Sequence, residues 1–196
     1  MAWAKHLKRP AGASSGGVFL TAIDNDNLGN LYVVGYVAGG NINLENNIIS
    51  SNGRTGDNIF YAKYNADGSL AFAHIVGGNA DDRATDITVD TDGSFYIVGS
   101  SGGGPGFFNP ENSNPTDPIC NNPSICGFSY LLKYNAGGSF AWAKETHRNN
   151  PSANQLNNFA VKVTSDGVYV TGQGLSIQKF NKNDGNLIWK NNTCGT

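Results

Sequence analysis

Short apolar runs, rich in β-branched and aromatic residues, alternate along the chain with polar segments that contain glycine. One run covers residues 31–34 and ends at Gly35, and another covers residues 95–98 and ends at Gly99. Turns of the Asp-Gly or Asn-Gly kind between such runs are a strong hairpin signal. The pattern therefore predicts antiparallel strands joined by tight turns, with almost no helix.

Two segments of the sequence recur in alternation. The first contains Lys-Tyr-Asn or Lys-Phe-Asn followed by an Ala-Trp-Ala type run, and its copies cover residues 60–73, 130–143 and 176–189. The second contains a Tyr-Val run that ends in glycine, and its copies cover residues 22–35, 88–99 and 162–172. Fixed repeats of this length are typical of propellers and solenoids.

Each full repeat predicts four strands. The inner strand ends near Asp24, Asp90 or Thr164, and the second, third and fourth strands follow the Tyr-Val, Lys-Tyr-Asn and Ala-Trp-Ala runs. Four antiparallel strands in one repeat are the unit of a propeller blade. We therefore expect an all-β chain of three four-stranded antiparallel β-propeller blades, which together make an incomplete propeller.

The predicted divisions of this single propeller segment, 1–196, follow the repeats. They are a lone outer strand, 1–7, then blade one, 8–76, blade two, 77–145, and blade three, 146–196. An aromatic residue recurs in the register of the outer strand, and we expect these side chains to be buried in the core. They are Trp3, Phe72, Trp142 and Trp189.

Composition and charge narrow the classes of partner. Only 14% of the 196 residues are charged, and 13 Lys and Arg against 15 Asp and Glu leave a net charge of −2. No basic field is present to hold a phosphate backbone, so nucleic acid is not expected as a partner. No apolar run approaches the length of a membrane span, so membrane insertion is not expected either. We expect no cofactor.

Residues 72–99 resemble the SBBP-type bacterial β-propeller repeat. They contain Gly77-Gly78, an acidic pair at Asp81-Asp82, and a Val-Asp-x-x-Gly-x-x-Tyr-Val-x-Gly type pattern over residues 89–99. The resemblance implies an extracellular or cell-surface repeat protein with a binding or structural role. It implies no single chemistry.

Three blades do not close a ring, because propellers close with about four to eight. An uncovered blade presents apolar surface and unpaired backbone groups that favour association. We therefore expect partners at two open faces, which are the remaining blades of a longer propeller, a covering protein or other protomers.

The long connections are predicted to share one rim of the blades and cover residues 8–18, 38–58, 101–127 and 145–158. Long loops on a rigid scaffold are common binding sites, and we expect protein or carbohydrate as the ligand. The candidate ligand-binding residues in the longest loop are Phe107, Phe108, Asn109, Asn112 and Asn114. Their rings would stack on a sugar and their amides would hydrogen-bond it; alternatively, the phenylalanines anchor the loop to its blade.

The same loop contains two of the three cysteines. Cys120 and Cys126 are separated by five residues, a spacing that suits a small disulfide ring and not a zinc site. The third, Cys194, has no evident partner in the sequence. We predict a disulfide between Cys120 and Cys126 if the chain is exported.

Two acidic groups have alternative interpretations. Asp81, Asp82 and Asp86 provide carboxylates for acid and base chemistry, or they hydrogen-bond neighbouring backbone where two blades meet. Residues 24–30 resemble a calcium loop, or they form an Asx-type turn that satisfies its own backbone. For the whole chain, our hypothesis is a binding or structural module without catalysis. The alternative hypothesis is a secreted propeller enzyme that acts on polysaccharide.

Overall fold

The computed structural model describes residues 17–45, 47–102, 128–148, 158–172 and 177–191. The first part contains β1 (Val18–Asn25), β2 (Leu31–Ala38), β3 (Ile42–Leu44), β4 (Asn47–Ile49), β5 (Asp57–Tyr64) and β6 (Leu70–Val76). The second contains β7 (Asp82–Val89), β8 (Phe95–Ser101), β9 (Phe128–Tyr134) and β10 (Phe140–Arg148). The third contains β11 (Asn158–Thr164), β12 (Gly167–Gly172), β13 (Ile177–Phe180) and β14 (Leu187–Asn191).

These strands form three four-stranded antiparallel sheets. Sheet one has the order β1-β2-β5-β6, sheet two is β7-β8-β9-β10, and sheet three is β11-β12-β13-β14. The predicted all-β class and the four strands of each repeat are confirmed. Within the described ranges the three sheets do not close into a ring. No helix of the described residues is long and apolar enough to cross a membrane.

The sheets pack face to face in chain order, and alternate side chains of each strand enter different cores. From β2, Tyr32 and Val34 enter the core between sheets one and two, whereas Val33 and Val37 point to the other side of sheet one. A separate buried cluster joins sheet two to sheet three and includes Val98 and Phe180. Strand β7 contacts sheet one on one side and β11 on the other.

The hairpin of β3 and β4 was not predicted. Its Ile42 and Leu44 are buried in the cluster that covers part of the outward face of sheet one, where Phe60 is 0% exposed. Leu20 and Ile23 of β1 lie on the same face and stay 52% and 60% exposed. We expect two open faces, and this one is partly covered. The reason is that a segment predicted to be a loop folds back on its own sheet.

The outer-strand aromatic residues are less buried than predicted. Phe72 and Trp142 are half-buried, while Trp189 is 42% exposed. Trp3 lies outside the described residues. Trp189 is exposed because β14 is an edge strand and no sheet of the described part packs on this face of sheet three.

The direction of the strands decides at which of the two ends of the sheets each connection lies. The short turns, 26–30, 65–69, 90–94, 135–139, 165–166 and 181–186, lie at one end of the sheets. The long connections start at the opposite end, which we call the loop rim, after Ala38 and Ser101. This agrees with the predicted division into a short-turn rim and a long-loop rim.

Candidate functional site

In the described part of the loop rim, a cluster of charged and buried polar side chains lies where sheet one meets sheet two. We call it the rim junction, and it consists of Arg54, Asp57, Asn58, Gly77, Gly78 and residues 81–83. It is built from the connection before β5, the start of β5, the connection after β6 and the start of β7. The connection between β8 and β9 begins beside it, because Gly102 N donates a hydrogen bond to Asp81 O at 2.7 Å.

The residues predicted to bind sugar do not belong to this described set. Phe107, Phe108, Asn109, Asn112 and Asn114 lie outside the described residues. The predicted disulfide between Cys120 and Cys126 also lies outside them, as does Cys194. All of these assignments stay predictions.

Arg83 connects the charged groups of the rim junction. Its guanidinium pairs with Asp57 Oδ2 at 2.5 Å and lies 3.6 Å from Asp81 Oδ2. The same guanidinium lies over the ring of Tyr36, 5.1 Å from its centroid, and Tyr36 stacks on Phe19 with ring centroids 4.8 Å apart. The result is an aromatic and arginine stack beside two carboxylates, with the Arg83 side chain 51% exposed.

Asp82 is the buried carboxyl group of the junction, with 0% of its surface exposed. Its Oδ2 accepts a hydrogen bond from Gly78 N, whereas no hydrogen-bond partner is present in the described part of the chain for Asp82 Oδ1 or for Asn58 Oδ1. Burial raises the pKa of Asp82 to about 7, against the lowering effect of hydrogen bonds from Ser101 and Gly78. Asp82 is therefore protonated over much of the acidic range.

Gly77 closes the turn above this carboxyl group. Its φ is +146°, and a Cβ there would lie 2.8 Å from both Asn58 Oδ1 and Asp82 Oδ2. No larger residue fits without moving these buried groups. Arg54 Nε donates to Gly77 O at 3.1 Å, so a side chain from the connection before β5 also holds this turn.

The other two acidic candidates bind backbone. Asp81 Oδ1 accepts a hydrogen bond from Asp57 N at 3.1 Å, and Asp86 Oδ2 accepts one from Val161 N at 2.8 Å. The first contact joins sheet one to the segment before β7, and the second joins sheet two to sheet three. These contacts are those expected of carboxylates that hydrogen-bond neighbouring backbone at the junctions.

The calcium-like segment is an Asx-type turn centred on Asp26. Asp26 Oδ1 accepts hydrogen bonds from Leu28 N at 3.0 Å and from Asn30 N at 2.9 Å. Burial alone would raise the pKa of Asp26, but hydrogen bonds from Asn30 and Leu28, with the charge of Lys63, lower it. Among the described residues, no group of three or more His, Cys, Asp or Glu side chains has the arrangement of a metal site.

The strand register also corrects the alignment of the repeats. Asn25 pairs with Leu31, and Val89 pairs with Phe95, so Asp26 and Asp90 are the first residues after equivalent strands. The sequence pattern places Asp24 in the position of Asp90. Both turns contain five residues, 26–30 and 90–94, and the pairing identifies Asp26 as the carboxylate equivalent to Asp90.

No protein-family model matches this chain, and a search of curated proteins finds no match. The resemblance of residues 72–99 to the SBBP-type repeat therefore rests on the residue pattern alone.

Proposed function

We propose that the chain is a β-propeller segment, extracellular or at the cell surface, with a binding or structural role and no catalysis. The propeller assignment is supported by the order of the sheets, which pack face to face in chain order. It is also supported by contact between the innermost strands, β1 with β7 and β7 with β11. Successive blades of a propeller are related in this way.

The observation that carries the non-catalytic assignment is the engagement of the rim-junction carboxyl groups. Asp57 is paired with Arg83, Asp81 accepts a backbone N–H, and Asp82 is fully buried. A general acid or base must come within hydrogen-bond distance of its substrate. Asp82 has no surface with which to do so, and the carboxylates beside it hold the two sheets together.

The ligand we propose is protein or carbohydrate, bound at the loop rim. Phe107 and Phe108 are the proposed stacking residues, with Asn109, Asn112 and Asn114 as hydrogen-bonding partners. The weak net charge of −2 favours a neutral ligand over nucleic acid. Remaining blades, a covering protein or other protomers are the proposed partners at open edges.

The rival function is that of a secreted enzyme acting on polysaccharide. The observation that favours it is Asp82, because a carboxyl group with a pKa of about 7 suits a general acid near neutral pH. The two functions differ in what happens to a bound glycan, which is either retained intact or cleaved.

The test is to incubate the full chain with a panel of soluble plant, fungal and bacterial polysaccharides, measuring retention and release of reducing ends. We expect a retained glycan or a protein ligand, no release of reducing ends, and loss of retention in the Phe107→Ala, Phe108→Ala double variant. Asp82→Asn should retain the ligand, as should the exposed control Asp67→Asn. Release of reducing ends by the natural chain that Asp82→Asn abolishes would refute the proposal.

A further inference from the structure

Each sheet carries a tyrosine, a lysine and a second aromatic residue that pair in this order across its second, third and fourth strands. Tyr32 pairs with Lys63 and Lys63 with Phe72, and Tyr96, Lys133 and Trp142 pair in the same order. The third set is Tyr169, Lys179 and Trp189. We call these sets ladders one, two and three. In every ladder the lysine Nζ lies over the tyrosine ring, at 4.8, 5.5 and 5.3 Å from its centroid.

Ladder one contacts the turns of sheet two. Tyr32 Oη donates a hydrogen bond to Gly93 O at 3.2 Å, in the turn between β7 and β8. Phe72 lies against Gly138, in the turn between β9 and β10, where a Cβ would be 3.0 Å from Phe72 Cε2. Gly138 has a φ of +84°, so the turn requires glycine for its conformation as well as for this close approach.

Ladder two makes the same kind of contact with sheet three. Lys133 Nζ donates a hydrogen bond to Lys182 O at 2.8 Å, in the turn between β13 and β14. Trp142 lies against Gly185 of that turn, where a Cβ would be only 2.7 Å from Trp142 Cε3. The φ of Gly185 is +68°. Ladders one and two therefore each contact a backbone carbonyl and a positive-φ glycine in the turns of the next sheet.

Ladder three has the same internal arrangement, but no sheet of the described part lies on it. Trp189 packs edge-on against Tyr169, with ring centroids 6.0 Å apart, and remains 42% exposed. Tyr169 and Lys179 contact Asp166 of their own sheet. Such a contact does not prevent docking, because Tyr32 of ladder one contacts Asp26 of its own sheet and Gly93 of the next.

We propose that ladder three is a docking surface for one further four-stranded sheet of the same kind. This inference rests on the proposed propeller. The turn between the third and fourth strands of that sheet places a positive-φ glycine under Trp189. A backbone carbonyl of one of its turns accepts a hydrogen bond from Tyr169 or Lys179. The occupant is identified by the two ladders that are already covered within this molecule.

A second copy of the chain is a poorer occupant. The face that its sheet one would have to offer is already partly occupied, with Phe60 and Ile75 inaccessible and the β3–β4 hairpin in the same cluster. The exposed apolar residues of that face are Leu20 and Ile23 of β1. Sheet two, by contrast, is known to receive a ladder, because it receives ladder one. A sheet with the turns of sheet two therefore suits ladder three.

The test extends the full chain at its C-terminus with a copy of residues 77–145 and follows hydrogen exchange of β14 by mass spectrometry. We expect exchange in residues 187–191 to slow by about tenfold or more, because an edge strand becomes an internal part of a packed pair of sheets. Trp189→Ala in the extended chain should remove this protection. Ile188→Ala is the matched control, because it lies on the same strand outside the ladder, and it should keep the protection.

Two outcomes overturn the inference. In the first, β14 exchanges at the unextended rate with this extension and also with a second one, a copy of residues 146–191. In the second, the natural chain forms a dimer that protects β14 and that Trp189→Ala dissociates, which makes a second copy the occupant. Cleavage of polysaccharide by the natural chain would refute the proposed function and leave the exchange result unchanged, so the two failures are distinguishable.

Discussion

Replacing Asp82 by asparagine should remove most of the dependence of stability on pH between about pH 4 and pH 7. Burial raises the pKa of Asp82 from 3.8 to about 7 in the folded chain, whereas an unfolded chain ionises near the ordinary value. Between these two pH values the folded state binds the proton and the unfolded state does not. The free energy of unfolding therefore falls as the pH rises through this window, and the fall levels off above the folded pKa.

The size of the effect follows from the difference between the two pKa values. A difference of about three pH units corresponds to about 4 kcal/mol, which is a large fraction of the stability of an ordinary domain. Asparagine keeps an oxygen that accepts the Gly78 N–H and adds a donor near the unpartnered Asn58 Oδ1. We therefore expect Asp82→Asn to resemble the natural chain at pH 4 and to be clearly more stable than it at pH 8.

The assay is urea unfolding followed by intrinsic fluorescence at several pH values from 4 to 8.5. Asp67→Asn is the matched control, because this side chain is exposed and accepts a hydrogen bond from Ser69 N that asparagine also accepts. The control should follow the natural chain at every pH. Parallel curves for Asp82→Asn and the natural chain, or a variant that loses most stability at pH 8, would refute the reasoning. The second result would mean that the buried carboxylate is ionised and held by Arg54.

Two further predictions concern a turn and a loop. Gly138→Ala should lower the free energy of unfolding by about 1–3 kcal/mol, because the position has positive φ and lies against Phe72. The control Gly137→Ala should change it little, because no atom lies near that position. Equal effects of the two substitutions in thermal unfolding would contradict this prediction. Cys120 and Cys126 should form a disulfide in protein purified from its native compartment, so that mass spectrometry without reductant finds no free thiol at either position, whereas two free thiols there would exclude it.

The strands were predictable because their signals are local. Each repeat places a β-branched and aromatic run beside a turn with glycine, and the run through Tyr32 and the run through Tyr96 both form second strands. The equivalent positions around the first turn were not predictable with the same accuracy. Asp24 and Asp26 are two residues apart, and only the backbone pairing shows that Asp26, as the first residue after its strand, is the equivalent of Asp90.

Burial depends on neighbours that a repeat pattern does not specify. Phe72, Trp142 and Trp189 occupy one register position, yet only the first two have a described sheet against them. For the β3–β4 hairpin the difference is the reverse, because residues predicted to lie in a loop are buried. Ile42 and Leu44 alternate with polar residues as a strand requires, but surrounding glycine and asparagine favoured a loop. Their burial comes from packing against sheet one, which a local pattern does not reveal.

The contacts that ladders one and two make with the next sheet use backbone atoms of the receiving sheet. Ladders one and two contact the carbonyl oxygens of Gly93 and Lys182, and their outer rings pack directly on Gly138 and Gly185. A carbonyl is present at every residue, so the ladder itself requires of the receiving turn only its glycine and its conformation. Side chains of the turn add further contacts, such as that of Lys182 Nζ with Asp90 Oδ2 at 2.8 Å. The loop rim takes no part in the ladders, so its residues do not affect these contacts. The scaffold can therefore keep its order while the loops of successive repeats diverge, which is the arrangement that a binding module requires.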